Sequence, residues 1–300
     1  MPLDTSPLTG PVDRAAVRAF VRSRRDGRSR TGAVVLLVLG LLLVGGTLGI
    51  VVPVLVIGSD SEEGLHPVPV IALVTIAALV VVVAVIGARA ALRSGEHAYR
   101  LARFAQVNGM QWIGTASAPR YPGSLFRQRS SPIASSVIRD DRDGLVDIGD
   151  FQYATGVGKQ YRTHQWGYAA VRLVSIPLSE RVEGATHPPP LVLDARGHHT
   201  LYGGHLPNDV TTGRQPSLEG GFGRAFTLSC PPGSERTALA IFTPDVLAHL
   251  VDDGGAARVS VELRDGWLFL YAKDGFAMRD PETWEWLPGA IDALRDRLRT

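Results

Sequence analysis

The sequence predicts an α+β fold in which a transmembrane helical hairpin leads into a cytosolic domain with an antiparallel sheet and packed helices. Three observations predict it. Two long uncharged apolar stretches, Ala33–Ile57 and Pro67–Ala88, lie close together in the first third of the chain. After them come short segments that alternate apolar and polar residues between turn signals. Among these segments stand others with a helical apolar period and recognisable start signals.

The hairpin rests on length and charge. As a helix at ~1.5 Å per residue, residues 33–57 span roughly 37 Å and residues 67–88 roughly 33 Å, against a hydrocarbon core of about 30 Å. The connection, Gly58 to His66, carries Asp60, Glu62 and Glu63 and no Lys or Arg. Arginines precede the first stretch, and Arg89, Arg93, Arg100 and Arg103 follow the second. The positive-inside rule then places a multi-pass protein in the cell membrane with both termini cytoplasmic and the acidic loop outside. A cleaved signal peptide is the rival reading, but it needs a shorter apolar core and a small-residue cleavage site, and Val56-Ile57-Gly58-Ser59 is a poor one. Neither stretch carries an ionisable residue, which argues for an anchor and against a transport pathway. Gly45 and Gly49 have the spacing that lets helices approach closely, between two copies or within the hairpin itself.

The expected organisation has three parts. Residues 1–30 form a basic, partly disordered cytoplasmic arm, residues 31–93 the hairpin, and residues 94–300 the cytosolic domain. The chain has 300 residues and a formal charge of +2, which conceals an asymmetry. Arg14, Arg18, Arg22, Arg24, Arg25, Arg28 and Arg30 crowd the arm against Asp4, Asp13 and Asp26. A helix over 13–25 would set Arg14, Arg18, Arg22 and Arg25 on one face, suited to anionic lipid headgroups; a disordered tail that only sets orientation is the alternative. Acids and bases nearly balance from Glu96 onward, which argues against nucleic-acid binding by the main domain. The one cysteine, Cys230, excludes an intrachain disulfide and a cysteine zinc site.

Within the domain, Glu96–Asn108 reads as a helix with Leu101, Phe104 and Ala105 on one face and Gly109 to end it. Trp112 and Tyr121-Pro122-Gly123 follow as loop. Strands are expected at Ser135–Arg139, Leu145–Tyr153 and His164–Val174, the first two joined by Asp141-Arg142-Asp143-Gly144. Leu191–Asp194 is a short apolar strand. Phe226, Leu228 and Cys230 alternate with Thr227 and Ser229 as a half-buried strand. Thr243-Pro244-Asp245 starts a helix with hydroxyl cap, proline and acid. Val259, Val261 and Leu263 alternate with Ser260, Glu262 and Arg264, and Asp265-Gly266 turns the chain into Trp267–Ala272. Asp280-Pro281 opens the last helix, with Trp284, Leu287, Ile291, Leu294 and Leu298 in one stripe.

A family resemblance accompanies these elements. Arg100-Leu101-Ala102-Arg103-Phe104-Ala105 with Asn108-Gly109 and Trp112, then Tyr121-Pro122-Gly123-Ser124-Leu125-Phe126, come first. Phe151-Gln152-Tyr153-Ala154-Thr155-Gly156 with Thr163-His164, Thr243-Pro244-Asp245-Val246-Leu247 and Gly266-Trp267-Leu268 follow. With the N-terminal hairpin, the chain resembles uncharacterised two-transmembrane-helix membrane proteins of high-GC Gram-positive (actinobacterial) bacteria that carry a cytosolic domain of unknown function. The resemblance implies the architecture and supplies no activity or catalytic residue.

No catalytic constellation emerges from the residues. His198, His199 and His205, with Asp194 nearby, could hold zinc or another borderline metal. Gly197, Gly203 and Gly204 make that segment loop-like, which favours exposed loop histidines. Asp141-Arg142-Asp143-Gly144 echoes a calcium loop, but Arg139 stands where the first acidic ligand belongs, so a turn is the better reading. Gly156-Val157-Gly158-Lys159 lacks the phosphate-loop spacing, and Gln160 replaces the hydroxyl residue. Cys230 lies beside no evident base and reads as a buried structural thiol. The expected function is therefore a membrane-anchored cytosolic binding or interaction module with the bilayer, and a protein partner the residues do not name, as its contacts. No cofactor is implied. The alternatives are a metal-dependent enzyme using the loop histidines and an accessory subunit of a membrane complex.

Overall fold

The computed structural model describes residues 3–25, 67–117, 119–127, 132–173, 190–196, 214–252 and 258–299. The chain divides into two units, Met1–Gly10 with Arg100–Thr300, and Pro11–Tyr99.

The first unit is organised by one eight-stranded antiparallel sheet. Its strands are β1 (Gln111–Ser117), β2 (Ile133–Asp140), β3 (Val146–Thr155), β4 (Arg162–Arg172), β5 (Leu191–Ala195), β6 (Phe226–Ser229), β7 (Ser260–Arg264) and β8 (Trp267–Lys273). Their order across the sheet is β1-β2-β3-β4-β8-β7-β5-β6. The first four form a meander. The chain then reaches the far side of the sheet, and the β7–β8 hairpin closes the centre by pairing β8 with β4. That hairpin turns at Asp265 and Gly266, both at positive φ (48° and 74°). Two central residues at positive φ match the twist of the flanking strands.

Alternation along each strand sends side chains to two faces, and both faces are covered. On one face lie the helices α1 (Ser6–Thr9), α4 (Glu235–Ile241), α5 (Pro244–Ala248) and α6 (Pro281–Arg299), with the last turns of α3 (Pro67–Val107). Leu101, Phe104, Leu247, Trp284, Leu287 and Leu294 pack there against Ile138, Ala169, Val261 and Leu270. The other face is aromatic, with Phe151, Tyr168, Phe269 and Tyr271 under a short 3-10 turn at Ser124–Arg127. Gly123 passes so close that a Cβ there would meet Phe269 at 3.0 Å.

Strand β1 was expected as loop. Its alternation is broken by register shifts on either side of Gly114, which sits at φ 77°. Bulges of this kind interrupt the period that reveals a strand.

The second unit holds α2 (Arg14–Arg25) and the first part of α3. Asp13 caps α2, accepting from the Ala15 N–H at 2.8 Å. Arg14, Arg18 and Arg22 are exposed on it, and Phe20 meets Tyr99 edge-on at 5.6 Å.

Among the described residues no helix is long and apolar enough to cross a membrane. This corrects the expected transmembrane hairpin, and with it the multi-pass placement in a cell membrane with both termini cytoplasmic. The first expected stretch, residues 33–57 with Gly45 and Gly49, lies outside the described residues. The second, Pro67–Ala88, is not an element of its own. It opens α3, a helix of 41 residues that continues through Arg89, Arg93, Glu96, Arg100 and Arg103. An apolar run read in a window carries no information about the polar helix it belongs to. Leu79, Val82, Val83 and Ile86 are exposed along it.

One buried acid in the sheet yields a test. Asp150 on β3 has an oxygen, Oδ1, that is buried and finds no hydrogen-bond partner among the described residues. Burial pushes its pKa up to about 6, against weaker opposing pulls from the Phe276 N–H and Ser136. A carboxyl whose pKa is raised on folding binds its proton more tightly in the native state. Its charge therefore weakens the fold above pH 6, and the effect fades as pH falls through 6 towards 4. Asp150→Asn is expected to stabilise the protein by roughly 2 kcal/mol at pH 8 and by nothing measurable near pH 4. Urea denaturation of both proteins across that range checks it, and a pH-independent difference would refute the cause given.

Candidate functional site

The end of α3 begins the site. Asn108 and Gly109 stop the helix in a Schellman turn, in which the Met110 N–H donates to the Ala105 carbonyl at 2.8 Å and the Gly109 N–H to that of Gln106 at 3.3 Å. Gly109 takes the left-handed conformation this turn requires, at φ 70°. The Asn108 side chain is then free to clamp the N-terminal segment. Its Oδ1 accepts from the Asp4 N–H at 2.8 Å, and its Nδ2 donates to the Asp4 carbonyl at 3.0 Å. Arg100, itself buried, donates to the carbonyls of Leu8 at 3.0 Å and Gly10 at 2.8 Å, while the Leu8 side chain enters the core.

This clamp brings Leu3 and Asp4 over a cavity of about 710 Å³. The sheet supplies a second wall with Ile138, Val146 and Ile148, whose side chains alternate onto the helical face. The β2–β3 turn supplies the rim through Asp140, Arg142, Asp143 and Gly144. Helix α6 supplies the third wall with Trp284, Pro288, Ile291, Asp292 and Arg295, spaced to share one face. Pro288 lies inside α6 and has no N–H to give the Trp284 carbonyl.

The charges of the site are arranged unequally. Asp140 is taken up by Arg142, which donates from Nε at 2.9 Å, Nη2 at 2.6 Å and its backbone N–H at 3.1 Å. The Arg142 bond holds the Asp140 carboxyl below the usual carboxylate range, with smaller contributions that include Arg295. Asp140 therefore stays ionised at neutral pH. Arg295 is different: its Nη2 is buried and has no acceptor among the described residues. The cavity is lined about equally by polar and apolar surface and has an acidic rim, and Arg295 Nη2 lies buried beside it without an acceptor among the described residues.

Comparison with known proteins returns no relative: no family model, no curated protein and no solved structure matches the chain. The site is therefore read from its own chemistry.

Of the residues singled out from sequence, the Asp141-Arg142-Asp143-Gly144 turn contributes Arg142, Asp143 and Gly144 to the rim. His198, His199 and His205 lie outside the described residues. Asp194 ends up in β5, where it accepts from the Ser260 hydroxyl at 3.1 Å. No group of three or more potential metal ligands occurs among the described residues. Cys230 is buried at the end of β6, and burial, then the Glu235 carboxylate, pushes its thiol pKa up. Gly156-Val157-Gly158-Lys159 forms the exposed β3–β4 connection.

Sequence reasoning missed Arg295, Asn108 and the Asp140–Arg142 pair as parts of a site. One signal was available. Arg295 continues the spacing of Trp284, Pro288 and Ile291, so an arginine and a proline sit along an otherwise apolar stripe.

Proposed function

We propose that this chain is a binding module whose cavity between α6, the end of α3 and the β2–β3 hairpin takes a small amphipathic ligand. The observation that carries the reading is the cavity itself, about 710 Å³ with Ile138, Val146, Ile148, Trp284 and Ile291 in its walls. That volume lies within the range typical of ligand pockets, roughly 300–1,000 Å³. A buried apolar wall favours apolar ligands by removing their surface from water. Polar groups share the lining: Asp4, Asn108, Asp292 and Arg295 stand with Asp140, Arg142 and Asp143 of the rim, so a ligand with both apolar and polar parts fits it best.

A neutral fluorescent probe, N-phenyl-1-naphthylamine, tests this on the full chain. One saturable site is expected, and Val146→Phe, which projects a ring into the cavity, is expected to abolish it. Absence of saturable binding, or undiminished binding by a folded Val146→Phe protein, would overturn the reading. Ile291→Phe fills the same space from the opposite wall and serves where Val146→Phe does not fold.

A further inference from the structure

We propose that the ligand of this cavity is an organic ammonium, an apolar body that ends in a positively charged amine, and that Asp143 and Asp292 draw the charged end. The inference rests on the binding reading above and adds the sign of the ligand's polar group.

The first support is the balance of charge around the cavity. Asp140 and Arg142 form a pair of their own, with Arg142 donating from Nε at 2.9 Å and from Nη2 at 2.6 Å. Opposite charges this close cancel most of each other's field. What remains in the lining is Asp4, Asp143 and Asp292 against the single charge of Arg295. A cleft of one sign between low-dielectric walls concentrates the opposite charge. The field of this cavity therefore attracts a cation and repels a carboxylate or a phosphate.

The second support is which charged groups are open to a ligand. Arg142 is occupied by Asp140, and Nη2 of Arg295 is closed to anything in the cavity. Among the acids, Asp4 is partly taken up, since its Oδ1 accepts from the Ser6 N–H at 2.9 Å. Asp143 and Asp292 are exposed, and neither accepts a hydrogen bond or closes an ion pair among the described residues. They come from different walls, the β2–β3 turn and α6. An ammonium carries three donors and no acceptor, so a single one suits two carboxylates.

The third support joins the charge to the apolar surface. Ile291 and Asp292 are consecutive in α6, and both line the cavity. A carboxylate thus adjoins the wall formed with Trp284 and faces Val146 and Ile148 of the sheet. An apolar body leaves water against those side chains while its ammonium stays at the wet rim.

Displacement of N-phenyl-1-naphthylamine by a matched series, decylamine, decanol and decanoate, tests this on the full chain at pH 7. With the wild-type protein in low salt, decylamine is expected to displace the probe at concentrations about tenfold below decanol, with decanoate weakest. Exposed ion pairs are individually weak, so Asp143→Asn and Asp292→Asn should each weaken decylamine about threefold, and the double variant about tenfold. Decanol displacement should stay unchanged in all three variants, which also shows that the cavity is intact. Raising the salt to about 0.5 M should narrow the preference for decylamine, because exposed charges are then screened. If decanol or decanoate matches decylamine in the wild-type protein, the ammonium inference is wrong while the cavity reading stands. If the double variant keeps the full preference for decylamine, Asp143 and Asp292 are not the groups that draw the charge. If the probe finds no site at all, the binding reading fails and this one with it.

Discussion

Replacing Glu262 with alanine is expected to lower the unfolding free energy by about 3–5 kcal/mol, a large share of the stability of an ordinary domain. Glu262 sits in β7 with no exposed surface. Its carboxylate accepts from the Ser124 N–H at 2.9 Å, the Ser124 hydroxyl at 2.7 Å, the Tyr271 hydroxyl at 2.9 Å and Arg264 Nε at 2.7 Å. The Arg264 side chain is itself only 8% exposed. Alanine removes the carboxylate that Arg264 Nε bonds, in a site water hardly reaches. It also removes the group that accepts from the Ser124 N–H, the Ser124 hydroxyl and the Tyr271 hydroxyl, so the 3-10 turn at Ser124–Arg127 loses its tether to the sheet. Glu262→Gln keeps the shape and one acceptor, and should cost roughly half as much. Glu262→Leu combined with Arg264→Met removes both members of this ion pair and should cost less than Glu262→Ala alone. Urea denaturation followed by tryptophan fluorescence measures all three. An alanine variant within about 1 kcal/mol of wild type would mean that the carboxylate is not the tether.

That carboxylate also shows where reading a sequence runs out. Val259, Val261 and Leu263 announce β7 by alternation, and Asp265-Gly266 announces its turn, because both signals are local. Gly109 and the stripe of Trp284, Leu287, Ile291 and Leu294 are legible for the same reason. Alternation says that Ser260, Glu262 and Arg264 share a face, but not what covers it. The cover is Ser124, 138 residues away, inside a segment whose sequence, Tyr121-Pro122-Gly123-Ser124, reads only as loop. The same limit hides Tyr121, whose hydroxyl bonds Asp147 while Arg139 donates to that acid from two nitrogens at 2.7 Å. Burial, then the Asp147 contact, pushes the Tyr121 pKa up. The apolar run at 67–88 erred in the opposite direction. Its local signal was strong, but it described half of a helix. The cavity is the extreme case. Its walls come from residues 3–4, 107–110, 138–148 and 284–295, so no window of sequence contains it. The stripe read from the sequence, Trp284, Leu287, Ile291, Leu294 and Leu298, names two of its wall residues, Trp284 and Ile291, and passes over Pro288, Asp292 and Arg295.

Trp284→Ala is expected to cost about 3–5 kcal/mol, and for a reason that joins the core to the cavity. The indole is 2% exposed. One side meets Phe104 at a centroid distance of 4.4 Å, and Nε1 donates to the Met278 carbonyl at 2.8 Å. It also lines the cavity wall. Three losses therefore combine in the alanine variant: the transfer free energy of the ring, the void it leaves and an unsatisfied carbonyl. Trp284→Phe retains most of the ring and loses mainly the hydrogen bond, so about 1–2 kcal/mol is expected. Thermal and urea denaturation separate the two, and equal losses would show that the bond, not the volume, dominates. The ligand supplies an independent check. A molecule that binds only the native state stabilises it by RT ln(1 + [L]/Kd). If N-phenyl-1-naphthylamine rests against this wall, its stabilising increment at a fixed concentration should be smaller in Trp284→Ala than in wild type. In Trp284→Phe, which preserves the wall, the increment should be close to that of wild type. An increment from the probe that is the same in all three proteins would place it away from α6.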